Sequence, residues 1–304
     1  MSTVPAGPLA AGSVRIKVHS ASINPVDYLT TEMWGEAFTR RKPSAEKPAE
    51  KPYKIGFDAA GVVAEVGEGV TEFKVGDEVY SRAENPNFGT VAEYVDIEAK
   101  FVAPKPNNLD YDQAASVPLA ALTSYQGLFE HATLQAGQRV LILGGSSSTG
   151  IFAVQFAKAV GAHVIATSSA KNSEFVKSIG ADEAIDYHSQ KWVDVIEKNS
   201  IDLIYDCAFE PASWNTDAQV VLKQGGRFVS LGMTPTPIES PIGATRKDMF
   251  CHSSGADLVK IGELIEAGKV KTVVDTVVPF EKLLDGIARV QSLRAVGKVV
   301  VKVL

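Results

Sequence analysis

The sequence predicts a two-part α/β fold, a Rossmann-type doubly wound parallel sheet beside a smaller β-rich domain, and three features predict it. Residues 139–168 read as strand, glycine turn, helix and strand in immediate succession. The same alternation continues to residue 231, as expected of a parallel sheet with helices on both faces. Residues 14–103 instead hold many short β-rich runs separated by turn residues, which suggests a compact barrel-like domain. At 304 residues the chain is long enough to prefer two domains.

Val14 to Ser20 alternates apolar with polar residues, the pattern of a half-buried strand. In the segment that follows, Pro25 biases Asn24 toward extended backbone, and Asp27 caps or precedes a short helix. Residues 35–54, rich in Lys, Arg, Glu and Pro, read as an exposed loop or a gate over a pocket. Gly56 to Gly67, Val75 to Tyr80, Thr90 to Val95 and Lys100 to Ala103 supply further short strands. Pro104 to Asp110 is a linker, and Asp112 to His131 reads as helical. After the central unit come helices Ser173–Ile179, Trp192–Lys198 and Ser213–Leu222, with strands Ala184–Tyr187, Ile201–Cys207 and Arg227–Leu231 between and after them. Helix Asp257–Ala267, a helical Phe280–Leu293 and strand Lys298–Leu304 close the chain.

Bulk properties exclude several function classes. A net charge of −6 gives no reason to expect a nucleic-acid or anionic-membrane partner. No stretch reaches the roughly 18 apolar residues of a membrane span, and no signal-peptide pattern opens the chain. Two cysteines, Cys207 and Cys251, are too few for a disulfide framework, so a reducing cytoplasmic setting is expected. Cys207 ends a buried strand and reads as core.

The chemistry concentrates in the turn Gly144 to Gly150. Val140 to Leu143 is a short apolar run suited to a strand covered on both faces. Ile151 to Val160 is a helix with only Gln155 and Lys158 polar, ended by Gly161. A turn feeding a helix N-terminus binds anions, because its backbone N–H groups lack partners and the helix dipole adds positive potential. Gly144, Gly145 and Gly150 are therefore a candidate dinucleotide cradle, or else a plain turn without a ligand. No Lys follows Gly150, so this is no Walker A loop, and no Ser here has Gly two residues to each side, so it is no nucleophile elbow. An NAD site wants a carboxylate roughly 20 residues on, for the ribose hydroxyls. That place holds Thr167, Ser168 and Ser169, with Lys171 beyond, a set that suits the 2′-phosphate of NADPH. Lys171 reads otherwise as a solvated surface lysine.

Together these residues resemble the zinc-independent medium-chain dehydrogenase/reductases of the quinone oxidoreductase (zeta-crystallin-like) type. The resemblance covers nearly the whole chain. It is carried by Ser22-Ile23-Asn24-Pro25-Val26-Asp27, Gly56 to Val63, Val75-Gly76-Asp77-Glu78-Val79, Gly144 to Gly150, Gly180-Ala181-Asp182, Ile185-Asp186-Tyr187 and Gly297 to Val303. It implies a GroES-like catalytic domain over 1–117, completed by 257–304, and a Rossmann NADPH-binding domain over 118–256. It implies NADPH-dependent reduction of quinones or other α,β-unsaturated carbonyl compounds by a homodimer. An enal or enoyl double-bond reductase and a non-catalytic, crystallin-like NADPH-binding protein are the alternatives. Zinc-dependent relatives place Cys where Asn24 stands and Gly-His-Glu where Gly56-Phe57-Asp58 stand, so no metal is expected. Two departures are visible. The usual opening hairpin is missing or replaced by Ser2 to Gly12, and Ser147 and Ser148 stand where the family usually has Gly.

The resemblance also assigns residues. Gly145, Ser147, Ser148, Thr149 and Gly150 line the pyrophosphate. Ser168, Lys171 and Tyr187 hold the 2′-phosphate, Tyr187 being otherwise a ring packed on the sheet. Thr123 and Gly232 lie near the nicotinamide ribose, and Phe250 to Ser253 pass the nicotinamide edge. Arg294 reaches the 2′-phosphate or makes a surface ion pair. Asn24 and Asp27 are the expected catalytic residues, Asn24 as a donor to a substrate carbonyl. The other reading is an Asn-Pro turn with Asp27 as a cap. Tyr28 and Tyr53 are candidate ring-stacking partners for a quinone. No dedicated general acid is expected, since hydroquinone anions take protons from water.

Overall fold

The computed structural model describes residues 3, 5–29, 54–84, 89–234 and 236–304. Tyr53, and most of the 35–54 segment, lie outside them. In chain order the first elements are β1 (Ser13–Ile23), α1 (Val26–Leu29), β2 (Asp58–Val66), β3 (Glu78–Arg82), β4 (Tyr94–Glu98) and β5 (Val102–Pro104). Two short helices follow, α2 (Tyr111–Ala115) and α3 (Pro118–Tyr125). The alternating region holds β6 (Arg139–Leu143), α4 (Ser148–Ala159), β7 (His163–Ser168), α5 (Ser173–Ser178), β8 (Glu183–Asp186), α6 (Trp192–Val195), β9 (Ile201–Asp206), α7 (Ala218–Val221), β10 (Leu222–Ser230) and β11 (Thr245–Asp248). The chain ends with α8 (Gly255–Glu266), β12 (Val274–Pro279), α9 (Leu283–Gln291) and β13 (Lys298–Lys302).

The chain divides into two compact units: residues 1–119, 253–266 and 272–304 form the first, and 120–252 with 267–271 the second. The first is built on a seven-stranded sheet in the order β12-β13-β1-β2-β3-β5, with β4 paired to β1. Its centre is β1, which pairs antiparallel with β2, β4 and β13. The alternation read in the sequence explains this: Val14, Ile16 and Val18 are fully buried and form one core with Val63, Val79, Val95 and Ile97. Ile23, Val299 and Val301 form a second core under the apolar face of α9.

The second unit is a six-stranded sheet in the order β11-β10-β9-β6-β7-β8. Every pairing in it is parallel. Numbered from β6, this is the 3-2-1-4-5-6 order of a Rossmann sheet, with its switch point between β6 and β9. The apolar runs of the sequence are its interior: Leu141, Leu143, Ile165, Ile204 and Phe228 lie in one cluster with Trp192 and Trp214.

Several element boundaries differ from expectation. The helix read over Asp112–His131 is three pieces, α2, α3 and a π-helical turn Gln126–His131. The break falls at Ser116 and Val117, because the residue before Pro118 is pushed out of helical backbone. The helix read over Ser213–Leu222 is a 3₁₀ turn Pro211–Asn215 followed by α7. Tertiary packing overrides propensity there, as Trp214 is drawn into the core against Phe228. The helix read over Trp192–Lys198 is the single turn α6, since Ile196 turns to extended backbone and buries its side chain. Strands β11 and β12 carry too much charge or too little alternation to be read from sequence.

Candidate active site

The second unit builds a cradle from backbone. Gly144 sits at φ +84°, a conformation that favours glycine, and turns the chain out of β6. Its N–H donates to Thr167 Oγ1 at 2.9 Å, and Gly145 N–H donates to the Thr167 carbonyl at 2.8 Å, locking the turn to the end of β7. A Cβ on Gly150 would stand 2.1 Å from the Gly144 carbonyl oxygen, and one on Gly145 would stand 2.7 Å from Ala166 Cβ. These two glycines let α4 begin directly against the strand end. The N-terminus of a 12-residue helix, opened by close-approach glycines, fits a dinucleotide pyrophosphate.

The serines divide their tasks differently from expectation. Ser147 Oγ accepts from Gly150 N–H at 3.0 Å as the N-cap of α4, and its proton points to Cys207 Sγ at 3.8 Å. Its oxygen therefore shapes the turn. Cys207 donates in turn to the Leu143 carbonyl at 2.9 Å, and burial pushes its thiol up to about 12, so it is core as read. Ser148 and Thr149, at the first positions of α4, are part-exposed, and the Thr149 carbonyl accepts from Ser124 Oγ.

At the end of β7 the 2′-phosphate set is also rearranged. Ser168 is fully buried and donates to the Ser169 carbonyl at 3.1 Å, so its hydroxyl does not face outward. Lys171 is exposed on the 3₁₀ turn Ala170–Asn172, and Tyr187 is half-exposed with its ring 4.3 Å from that of His188. Tyr187 N–H donates to the Ser168 carbonyl, and the Asp186 carboxylate accepts from Ala170 and His188 N–H. The loops that carry Lys171 and Tyr187 are thus tied together. Those donors hold the Asp186 carboxyl below its ordinary range.

Thr123 is buried in α3, its carbonyl accepting from Tyr205 Oη at 3.1 Å. Gly232 is buried, its N–H donating to Ser230 Oγ. Phe250 is half-exposed. Ser253 is buried in the first unit, where its hydroxyl accepts from Arg82 and its N–H donates to Glu84. Arg294 is exposed, also in the first unit. Sequence reasoning missed Gln126. Its amide grips the backbone of His252 at both ends, Nε2 to the carbonyl at 3.0 Å and Oε1 from the N–H at 3.1 Å. It also missed Asp206, which ties the ends of β9 and β10 through Ser230 Oγ at 2.7 Å and the N–H groups of Ala208 and Glu210. A lone Gln or a strand-end Asp carries no sequence signal for such contacts.

The first unit builds its site from side chains. Asp58 Oδ2 accepts from Ser22 Oγ at 2.7 Å, Asn24 Nδ2 at 2.9 Å and Lys298 Nζ at 3.0 Å, and Asp58 Oδ1 accepts from Leu119 N–H at 2.8 Å. Lys298 Nζ donates also to Asn24 Oδ1. Beside this cluster, Asp27 Oδ2 accepts from Asn24 N–H and Oδ1 from Gly56 N–H, both at 2.8 Å. Asp27 lies inside α1 and joins the end of β1 to the approach to β2, rather than capping the helix that contains it. Burial pushes its carboxyl up to about 7, partly offset by the two backbone donors. Phe57 is buried beneath the Arg82 guanidinium, 5.5 Å from its ring.

Comparison with known proteins decides the family. An alcohol dehydrogenase GroES-like domain model matches residues 10–107, and a zinc-binding dehydrogenase model matches 179–301. A protein of Solanum lycopersicum named 2-methylene-furan-3-one reductase is 37% identical over 300 residues, 95% of this chain and 71% of that one. An Arabidopsis thaliana protein named NADPH-dependent alkenal/one oxidoreductase, chloroplastic, has the same identity and coverage. The quinone oxidoreductase structure from Coxiella burnetii superposes with a TM-score of 0.84 at 28% identity, covering 99% of this chain and 93% of that one. The chain belongs to the medium-chain dehydrogenase/reductase family, in its quinone oxidoreductase branch. Membership in this dehydrogenase/reductase branch makes the protein an oxidoreductase with a GroES-like domain and a nucleotide-binding Rossmann domain. It also sharpens the reading of the buried cluster. Asn24 and Phe57 cannot serve as thiolate or imidazole ligands, and the Asp58 carboxylate already has an ammonium for a partner. Among the described residues no helix is long and apolar enough to cross a membrane.

Proposed function

We propose that this chain is an NADPH-dependent oxidoreductase that reduces quinones and related conjugated carbonyl acceptors without a metal. One observation carries the reading: a glycine-built turn opening α4 occurs together with Asn24 and Gly56-Phe57-Asp58 where zinc-dependent relatives have Cys and Gly-His-Glu, with Lys298 as the cation bound to Asn24 and Asp58. When bound, NADPH supplies a hydride. Gly145, Ser148, Thr149 and Gly150 hold its pyrophosphate at the start of α4, with Ser147 keeping the turn in shape. Lys171 and Tyr187 meet the 2′-phosphate, and β7 itself ends in hydroxyls where an NAD site wants a carboxylate, the nearby Asp186 being engaged by the N–H groups of Ala170 and His188. Thr123, Gly232 and Phe250 belong to the nicotinamide end. Asn24 orients the acceptor carbonyl through its amide, and Asp27 holds Asn24 and Gly56 in place. Conjugated acceptors need orientation and a dry site more than they need a Lewis acid.

The names of the two relatives at 37% identity favour a second reading, reduction of the carbon–carbon double bond of an enone. An acceptor panel separates the two. Purified protein with NADPH should lose absorbance at the nicotinamide band on adding 9,10-phenanthrenequinone. Faster turnover of an alkenal or alkenone would move the assignment to double-bond reduction. Tight NADPH binding with no turnover of either class would make it a non-catalytic NADPH-binding protein. We further propose a homodimer in the cytosol. The edge strand β11 and the two free cysteines support this reading, and light scattering of the purified protein tests the dimer.

A further inference from the structure

In β13 the side chain of Lys298 is buried, with only 2% of it exposed, and that of Asp58 is wholly buried. Such a pair is a weak source of stability, because desolvation consumes most of the Coulombic attraction, and apolar replacements often do as well. What the pair does supply is direction. An asparagine amide has two orientations related by a flip, and nothing in its shape selects one. Here Lys298 Nζ faces Asn24 Oδ1 while Asp58 Oδ2 faces Asn24 Nδ2. The flipped amide would set its NH₂ against an ammonium and its carbonyl against a carboxylate. Cation and anion together admit one orientation.

We infer that Lys298 is a positioning residue of the reaction, fixing the Asn24 amide so that one N–H is spent on Asp58 and the second is held as a donor for the acceptor carbonyl. The inference rests on the proposed role of Asn24. Its physical core is that a side-chain ammonium does at this place what a metal ion does elsewhere, ordering the polar groups around a fixed positive charge. The span of 274 residues between Lys298 and Asn24 kept their pairing out of any motif, although each stands in one.

Two variants separate positioning from stability. Lys298→Met leaves the Asp58 carboxylate buried without its cation and should lower Tm. Lys298→Met with Asp58→Asn removes both charges and should recover most of that Tm. In the double variant kcat for the acceptor should stay about 100- to 1,000-fold below the parent, the scale for a lost transition-state donor. The Kd for NADPH, read by fluorescence quenching, should not change. The side-chain amide of Asn24 in ¹⁵N-labelled protein, assigned with Asn24→Ala, should show one strongly shifted N–H in the parent and none in the double variant. Parent-like kcat in a double variant of recovered Tm would reduce Lys298 to a structural residue. An unshifted Asn24 amide in the parent would overturn the orientation itself, and that readout holds whether or not the acceptor assignment stands.

Discussion

The glycine turn of the second unit and the buried cluster of the first are two different ways of making a polar site. In the turn the backbone does the work: Gly144, Gly145 and Gly150 remove side chains so that the turn closes on the end of β7 and α4 starts against the strand end. In the cluster side chains do it: Ser22 of β1, Asn24 just beyond it, Asp58 of β2 and Lys298 of β13 satisfy one another inside the unit. The turn is local and depends on the absence of atoms. The cluster is non-local and depends on charges that must all be present.

The sharpest way to break the turn is therefore to add an atom. Gly150→Val places a Cβ where the Gly144 carbonyl oxygen is 2.1 Å away, and backbone on both sides cannot give way. Such overpacking belongs with the most destabilising single changes, about 4–5 kcal/mol or more. Thermal unfolding should show a fall in Tm too large for the cofactor to restore. A Gly150→Val protein that keeps parental Tm and NADPH affinity would mean that the close approach of α4 to β6 is not what shapes the cradle.

This difference also explains what could be read beforehand. The strand, turn and helix at 139–160 were legible because period, glycine spacing and helix length all lie within about 20 consecutive residues. The double winding followed from alternation alone. Lys298 was visible only as one residue of a closing strand, since nothing local says that its ammonium meets Asn24 and Asp58. Ser147 and Ser168 were legible as hydroxyls near a phosphate site but not in direction. A hydroxyl chooses its partner from the folded surroundings, here a helix N–H and a neighbouring carbonyl. Edge strands β11 and β12 were lost for a related reason, because an edge is defined by its neighbour rather than by its own pattern.

The cluster side of the comparison responds to protons instead of atoms. Asp27 is a buried carboxyl whose value rises from 3.8 to about 7, chiefly through burial, with the Asp58 charge adding to the rise and Lys298 opposing it. The folded chain keeps this proton up to about pH 7, while the unfolded chain releases it near 3.8. Between those values the unfolded state binds fewer protons, so stability falls as pH rises and levels off above 7. The loss across the window is on the order of 4 kcal/mol. Urea midpoints from pH 5 to 8 should fall in the parent. In Asp27→Asn, which cannot ionise, they should start lower and stay flatter. Parallel curves for the two proteins would place the titration elsewhere.

The smallest effect tests charge outside both built sites. Lys171 is exposed on its 3₁₀ turn, so removing it should cost the fold almost nothing. In the proposed reading it meets the 2′-phosphate that distinguishes NADPH from NADH. A charge-assisted contact of this kind is worth about 1.5–3 kcal/mol. Lys171→Ala should therefore weaken NADPH by about 10- to 100-fold and leave NADH within a factor of about two. Titration of each nucleotide against protein fluorescence measures both. The comparison is informative because the pyrophosphate amides serve the two nucleotides alike, so any difference between them reports the loop after β7. Equal weakening would show that Lys171 acts on the shared part of the nucleotide, and the preference for the phosphorylated cofactor would then have to come from Tyr187 and its neighbours.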